Sequence, residues 1–303
     1  MENTATVSGT EVKKYRRAGF MDEVRGFCIL CMVVYHVCFD LNYTYNIHIP
    51  IMFDGWFDIV RDIFAGAFMF ISGMSSRYSH NNAKRGIQCF FIGMIITFIF
   101  AFFAPSAPIL FGILHFMGVS MMIYAIGDKY FLKIPAPVGI AVCAVLFLLT
   151  RGIMYGYLGP AQGVGIKLPE FIYNAGLLFP LGFRAPSFQS MDYFPLLPWF
   201  FVFLAGAYTG KYAIEDKMPA FFYKTHCKPL ALAGRYTLWI YVLHQPVAMV
   251  FFLLIFALHC IFLPNILVLS FSWHNIILTL AFTLCDIFPG IFALTFALQH
   301  ILF

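Results

Sequence analysis

Long apolar blocks alternate with short polar joints along this chain. Blocks near residues 26–42, 57–76, 87–104, 109–127, 136–154, 195–212 and 232–257 each hold close to 20 mostly apolar residues. That is about the length a helix needs to cross a bilayer. The tail 262–302 has room for one or two more, with Asp286-Ile-Phe-Pro-Gly290 as the break between them. The pattern predicts an all-α, polytopic transmembrane bundle of eight to ten spans, nine being the preferred count, folded as one domain over residues 1–303. One stretch does not fit. Residues 171–184 are apolar but too short to span, and they end in Gly182-Phe183-Arg184-Ala185-Pro186. Residues 171–194 are therefore expected to be re-entrant or interfacial.

Composition agrees with the pattern. Charged residues make up 11% of the chain, against about 25% in soluble proteins, so a soluble core is excluded as the home of this much apolar surface. The basic residues then set an orientation. With the N-terminus in the cytoplasm, Lys13, Lys14, Arg16, Arg17, Arg25, Arg77, Lys84, Arg85, Lys129, Lys133, Lys211, Lys217, Lys224, Lys228 and Arg235 all fall on the cytoplasmic side. These are 15 of the 19 Lys and Arg residues. Residues 43–55 and 156–170 then lie outside. The net charge of +5 is accounted for by topology and calls for no nucleic-acid partner. The expected location is the cell membrane, multi-pass. The eight cysteines sit mostly in or beside apolar blocks and read as small packing residues; Cys28-x-x-Cys31 lacks the setting that activates a redox pair. No metal-ligand spacing, P-loop or dinucleotide fingerprint is present.

The candidate chemistry comes from ionisable residues inside the apolar blocks, where they are costly and tend to face a protein interior or wet cavity. At about 100° per residue, Arg25, Ile29, Met32, His36 and Asp40 share one stripe of the first block. Counting about 1.5 Å of rise per residue puts His36 roughly 16 Å above Arg25. The same arithmetic places His115, His244 and Arg61, on three other blocks, in the same outer half of the membrane. Each has a plain alternative: a lone histidine can hold helices together through a carbonyl, and Arg61 can simply neutralise Asp58 or Asp62. His36 with Asp40 one turn on is the stronger signal, since a carboxylate there can orient an imidazole and raise its basicity.

Several short runs, Asp22-x-x-Arg25-Gly26, Met32-Val-Val-Tyr-His36, Phe39-Asp40-Leu-Asn-Tyr43, Phe70-x-Ser72-Gly73, Phe111-Gly-Ile-Leu-His115-Phe116, Asp192-Tyr-Phe-Pro-Leu-Leu-Pro-Trp199 and Leu243-His244-Gln245-Pro246, resemble one known family. It is the heparan-alpha-glucosaminide N-acetyltransferase catalytic-domain family, and the likeness, strongest to its short prokaryotic members, covers roughly residues 18–250. The resemblance implies a membrane acyltransferase that takes an acetyl group from cytoplasmic acetyl-CoA and passes it to a sugar-like acceptor. In the animal enzyme a histidine in or near the first outer loop is held to be catalytic, as base or as transient acetyl carrier. The nearest outer-loop histidine here is His48. The animal enzymes have asparagine where this chain has His36, so the catalytic role falls to His36, His48 or both.

The resulting expectation is acyl transfer from an acyl-CoA donor to a hydroxyl or amine, with no metal. His36 serves as general base and Asp40 orients it. His115, His244 or Arg61 steadies the oxyanion, and Arg25, Arg77, Lys84 and Arg85 hold the CoA phosphates. His36, His115, His244 and Arg61 are expected to line one cavity opening toward Arg25. The main rival is a proton-coupled transporter using the buried His and Asp groups, although no inverted repeat supports it. A membrane cytochrome b is disfavoured because the histidines form no duplicated pairs. Acceptor identity, acyl length and homo-oligomer formation stay open.

Overall fold

A computed structural model describes residues 15–43, 48–53, 55–103, 105 and 108–262. The spans expected after residue 262 lie outside the described residues. Within them the chain is mostly helical. Helices α1 (Gly19–Tyr43), α2 (Gly55–Ser76), α3 (Asn82–Phe103), α4 (Ile113–Phe131) and α5 (Ala136–Thr150) follow one another closely. A short antiparallel hairpin, β1 (Tyr157–Ala161) and β2 (Val164–Lys167), comes next, and then the four-residue α6 (Phe171–Asn174). Helices α7 (Leu196–Ile214), α8 (Lys228–Arg235) and α9 (Thr237–Phe262) complete the described chain. Segments in α1, α3, α9 and the α5 region are each long and apolar enough to cross a membrane. Large apolar side chains such as Phe98, Phe102, Val247 and Leu254 are exposed on them, as a lipid-facing surface requires.

The first six expected blocks coincide with α1, α2, α3, α4, α5 and α7. The seventh, expected as one run from 232 to 257, is two helices. Near the junction, Arg25 donates to the Gly234 carbonyl at 3.3 Å and the Thr237 hydroxyl donates to the same oxygen at 2.7 Å. That carbonyl is thereby drawn out of the helical ladder, and the chain breaks at Tyr236. Residues 171–194 do not span, and contain α6 and irregular backbone. The hairpin is the one departure from an all-helical reading. Its strands are too short and too exposed to give a strong alternation, and it is marked by glycines at positive φ, Gly163 with 75° at the turn and Gly165 with 112° in β2.

Contacts fix the helix directions: Gly86 meets Met122 and Gly93 meets His115, so α3 and α4 run antiparallel, whereas Gly66 meets Trp199 and Gly210 meets Met74, so α2 and α7 run parallel. Arg25, Arg77, Lys84, Arg85 and Arg235 fall at one end, here the basic end. Helix α2 packs tightly on α7, α3 on α4, α5 on α7, and α1 on α8. Two of these seams are backbone-to-backbone. A Cβ at Gly206 would collide with the Phe70 carbonyl, and one at Gly26 with the Leu230 carbonyl; glycine is what lets each pair of helices close. A core of Met69, Phe116, Tyr124, Phe203 and Tyr208 joins α2, α4 and α7. Helix α9 has no such support. Among residues 238–255 of α9 none is buried, and the helix leans mainly on α1.

Candidate active site

At the basic end, Arg25 is tied into the fold. It bonds Asp22 at 3.1 Å and the Ser75 hydroxyl at 2.5 Å besides Gly234. Asp22 also accepts from Arg17 at 2.7 Å and lies 3.8 Å from Arg235. Arg77 reaches the Tyr124 hydroxyl at 3.4 Å, while its Nε is buried without a hydrogen-bond partner. Lys84 and Arg85 are exposed at the start of α3. A buried guanidinium nitrogen lacking an acceptor, beside two exposed cations, suits an incoming phosphate.

At the far end, α1 and α9 face each other through two histidines. The rings of His36 and His244 are 5.0 Å apart, tilted by 53°. Nδ1 of His36 lies 3.0 Å from the Met32 carbonyl, and Nδ1 of His244 lies 2.6 Å from the Tyr241 carbonyl. A carbonyl only accepts, so assigning the tautomers from these contacts puts the proton on Nδ1 in both neutral rings. Each Nε2 then carries a lone pair. That of His244 is buried with no hydrogen-bond partner.

Asp40 was expected to orient His36. Nδ1 of His36 instead goes to the Met32 carbonyl, with the Met32 sulfur at 2.8 Å, and the Asp40 carboxylate has the Gln245 side chain as its polar neighbour. In a helix the carbonyl four residues back is always at hand, whereas the Asp40 carboxylate sits a turn further toward the polar end and finds an amide there. Asp40 and Gln245 thus add a second α1–α9 tie next to the histidine pair.

Arg61 bonds both acidic neighbours, Asp58 and Asp62, at 2.9 Å each, and its guanidinium also reaches Tyr35. The Tyr35 ring meets the His36 ring edge-on at 5.6 Å. His115 is 4% exposed, stacked on Phe111 at 5.9 Å and edge-on to Phe90 at 5.5 Å, with Nε2 3.5 Å from Thr97 Oγ1. His48 is exposed in the linker between α1 and α2.

Of the four residues expected to share a cavity, His36, His244 and Arg61 line neither of the two described pockets. An open apolar groove of about 460 Å³ lies nearer the basic end, lined by groups including Val24, Phe70, Met74 and Phe222. His115 borders a space of only about 10 Å³ with Gly93, Asp192 and Tyr241, which is barely one water. His36 and His244 pack against each other, whereas His115 packs on Phe111, Phe90 and Thr97. Sequence reasoning also passed over Asp192 and Tyr241. The Asp192 carboxylate accepts from the Tyr241 hydroxyl at 2.9 Å and the Ile113 backbone N–H at 3.0 Å. A carboxylate just ahead of an apolar helix was the available signal, but its partners are 79 and 49 residues away.

Among the described residues no cluster of His, Cys, Asp and Glu is arranged to hold a metal. Taken together, apolar helices of spanning length and a polar knot of histidines at one end define a helical membrane protein with a compact candidate site. Residues 17–246 match the family model described as "Heparan-alpha-glucosaminide N-acetyltransferase, catalytic", and the chain belongs to that family, which is one of transferases. No curated protein and no solved structure is similar enough to be matched to the chain.

Proposed function

We propose that this protein is a membrane-embedded acetyltransferase that moves an acetyl group from cytoplasmic acetyl-CoA to a hydroxyl or amine of a sugar-like acceptor. Family membership supports the transferase class. The observation that carries the mechanism is the pair of imidazoles 5.0 Å apart with both Nδ1 atoms on backbone carbonyls. With Nδ1 protonated in both rings, each Nε2 is the basic nitrogen for proton transfer or attack, and that of His244 has no hydrogen-bond partner.

In the direct route, Nε2 of His36 takes the proton from the acceptor O–H or N–H as that atom attacks the thioester carbonyl carbon. The C–S bond then breaks, and the departing CoA thiolate recovers the proton from the imidazolium. In the carrier route, Nε2 of one histidine attacks the thioester carbon and the C–S bond breaks, giving an acetyl-imidazolium that keeps its Nδ1 proton and a CoA thiolate. The second histidine then takes the proton of the acceptor as that atom attacks the acetyl carbon and the C–N bond breaks, and this proton passes to the thiolate. Two facing rings suit this division of labour. Arg61, beside Tyr35 and already paired with Asp58 and Asp62, is assigned the support of negative charge developing near the pair. Arg77, Lys84 and Arg85, with Arg25 behind them, fit the CoA phosphates. Arg25 and His36 are 11 residues apart on α1, about 16 Å along the helix, a span for the pantetheine arm to cover. His48, exposed at the far end, is assigned to the acceptor side.

The decisive experiment uses the full chain in lipid nanodiscs with acetyl-CoA and a panel of amino sugars and oligosaccharides, following thiol release. Acceptor-dependent release lost in His36→Ala supports the reading. No release with any acceptor, together with no retained CoA species, removes it. Acid-quenched peptides carrying an acetyl group at His36 or His244 select the carrier route. Orientation is tested separately: in intact cells Gly163→Cys is expected to react with an impermeant maleimide and Asn82→Cys is not.

A further inference from the structure

The two histidines sit on helices of very different security. Helix α1 is welded to α8 and braced by α2, whereas α9 is nowhere buried between 238 and 255. Something must fix the rotation and height of α9 for His244 to meet His36. Tyr241 is one turn below His244, and its own carbonyl holds the His244 ring. Its hydroxyl donates to Asp192 at 2.9 Å.

Asp192 is itself immobilised. It caps α4, accepting the Ile113 N–H where a helix N-terminus favours a carboxylate. Gly112 leaves room for it, since a Cβ there would collide with the Asp192 carboxylate. The backbone on either side is pinned: Met191 N–H donates to the Pro108 carbonyl at 2.9 Å, and Phe194 N–H to the Phe111 carbonyl at 3.0 Å. The Ser190 hydroxyl bridges the Leu110 N–H and the Asp192 carbonyl.

We propose that Asp192 is a positioning residue that, through the Tyr241 hydroxyl, locks helix α9 onto the start of α4 and thereby sets His244 against His36. The catalytic importance of that alignment rests on the acetyl-transfer reading above; the lock itself does not. His115, one turn into α4, belongs to the same clamp as packing, which accounts for its place beside Asp192 and Tyr241 around the small cavity.

The test combines kinetics with a readout that needs no activity. Full-length wild type, Tyr241→Phe and Asp192→Asn in nanodiscs are treated with diethyl pyrocarbonate, and carbethoxylation is quantified peptide by peptide. Exposed His80 is the internal reference. Loss of the lock opens the His244 site locally, so its rate relative to His80 is expected to rise about fivefold in both variants. A misplacement of about 1 Å costs on the order of 100-fold in turnover. Tyr241→Phe should therefore lower kcat by that order while the KM for acetyl-CoA moves less than twofold. Adding Tyr241→Phe to His244→Ala should cost nothing further, because the tyrosine acts through the histidine.

Unchanged relative carbethoxylation and kcat in Tyr241→Phe overturn the proposal. So does a loss in Tyr241→Phe that multiplies in full with that of His244→Ala, since it marks a general structural role. If Asp192→Asn does not fold, Tyr241→Phe alone decides. If wild type shows no acyl transfer yet Tyr241→Phe exposes His244, the acetyltransferase reading falls and the lock stands.

Discussion

The α2–α7 seam and the α1–α9 seam are both helix pairs of similar length, yet they are built on opposite plans. Between α2 and α7 glycines remove the side chains altogether, and Gly73 and Gly206 let backbone touch backbone. Fully buried Met69, Met74 and Phe203 fill what remains. Between α1 and α9 the contacts are polar and few: His36 with His244 and Asp40 with Gln245. In a bilayer, close van der Waals packing is the dependable source of helix association, and single polar bonds add only about 0.6 kcal/mol on average. One seam is therefore a scaffold and the other a joint. Candidate chemistry concentrated at the weaker seam is what a site that must admit two substrates requires.

The sharpest way to break this contrast is to fill the scaffold seam. Gly206→Leu forces side-chain atoms into the Phe70 carbonyl and is expected to eliminate folded protein, read as loss of the monodisperse peak in size-exclusion chromatography. The matching enlargement on α9, Val247→Leu, faces outward and should leave that peak unchanged. Next in size, His36→Ala and His244→Ala are each expected to lower acetyl transfer by about 10² to 10⁴ without lowering thermal stability, because neither ring supports the packed core. A melting temperature that falls with activity would turn the joint into scaffold.

At the basic end, Arg85→Gln should raise the KM for acetyl-CoA several-fold, in the range of one exposed ion pair of up to about 1 kcal/mol, and leave kcat nearly untouched. The effect should shrink at high salt, since the side chain is exposed. The smallest effect is expected at Asp40→Asn, which keeps a partner for Gln245. A loss of two- to threefold in kcat is predicted, well short of the His36 variant, and parity between the two would restore the carboxylate to a direct role.

Much of this was legible in the chain. The helical blocks follow from apolar length alone, and counting residues along them put His36 and His244, whose rings meet, at matching positions. What the sequence concealed was lateral. Which faces meet depends on packing between distant segments, so the choice of His244 rather than Asp40 as the neighbour of His36 carried no local mark. Asp192 was hidden for the same reason. The split at Tyr236 arises because an arginine 209 residues away competes for a helix carbonyl, and no window of sequence contains that competition. The hairpin 157–167 was missed because its exposed, glycine-containing strands leave no buried face to impose an alternation.

The long reach of these contacts bears on how the protein is made. Arg25, near the start of α1, waits for Gly234, and Glu23 caps the start of α8 by accepting the backbone N–H groups of His226 and Cys227. Until α8 is translated, Glu23 and Arg25 lack these partners. The α2, α3, α4, α5 and α7 core can assemble while synthesis continues, but the histidine pair cannot form before residue 244 has entered the membrane and Asp192 has met Tyr241. Assembly of the site thus waits for α9, and a nascent chain stopped short of that helix would carry one imidazole and no opposing ring.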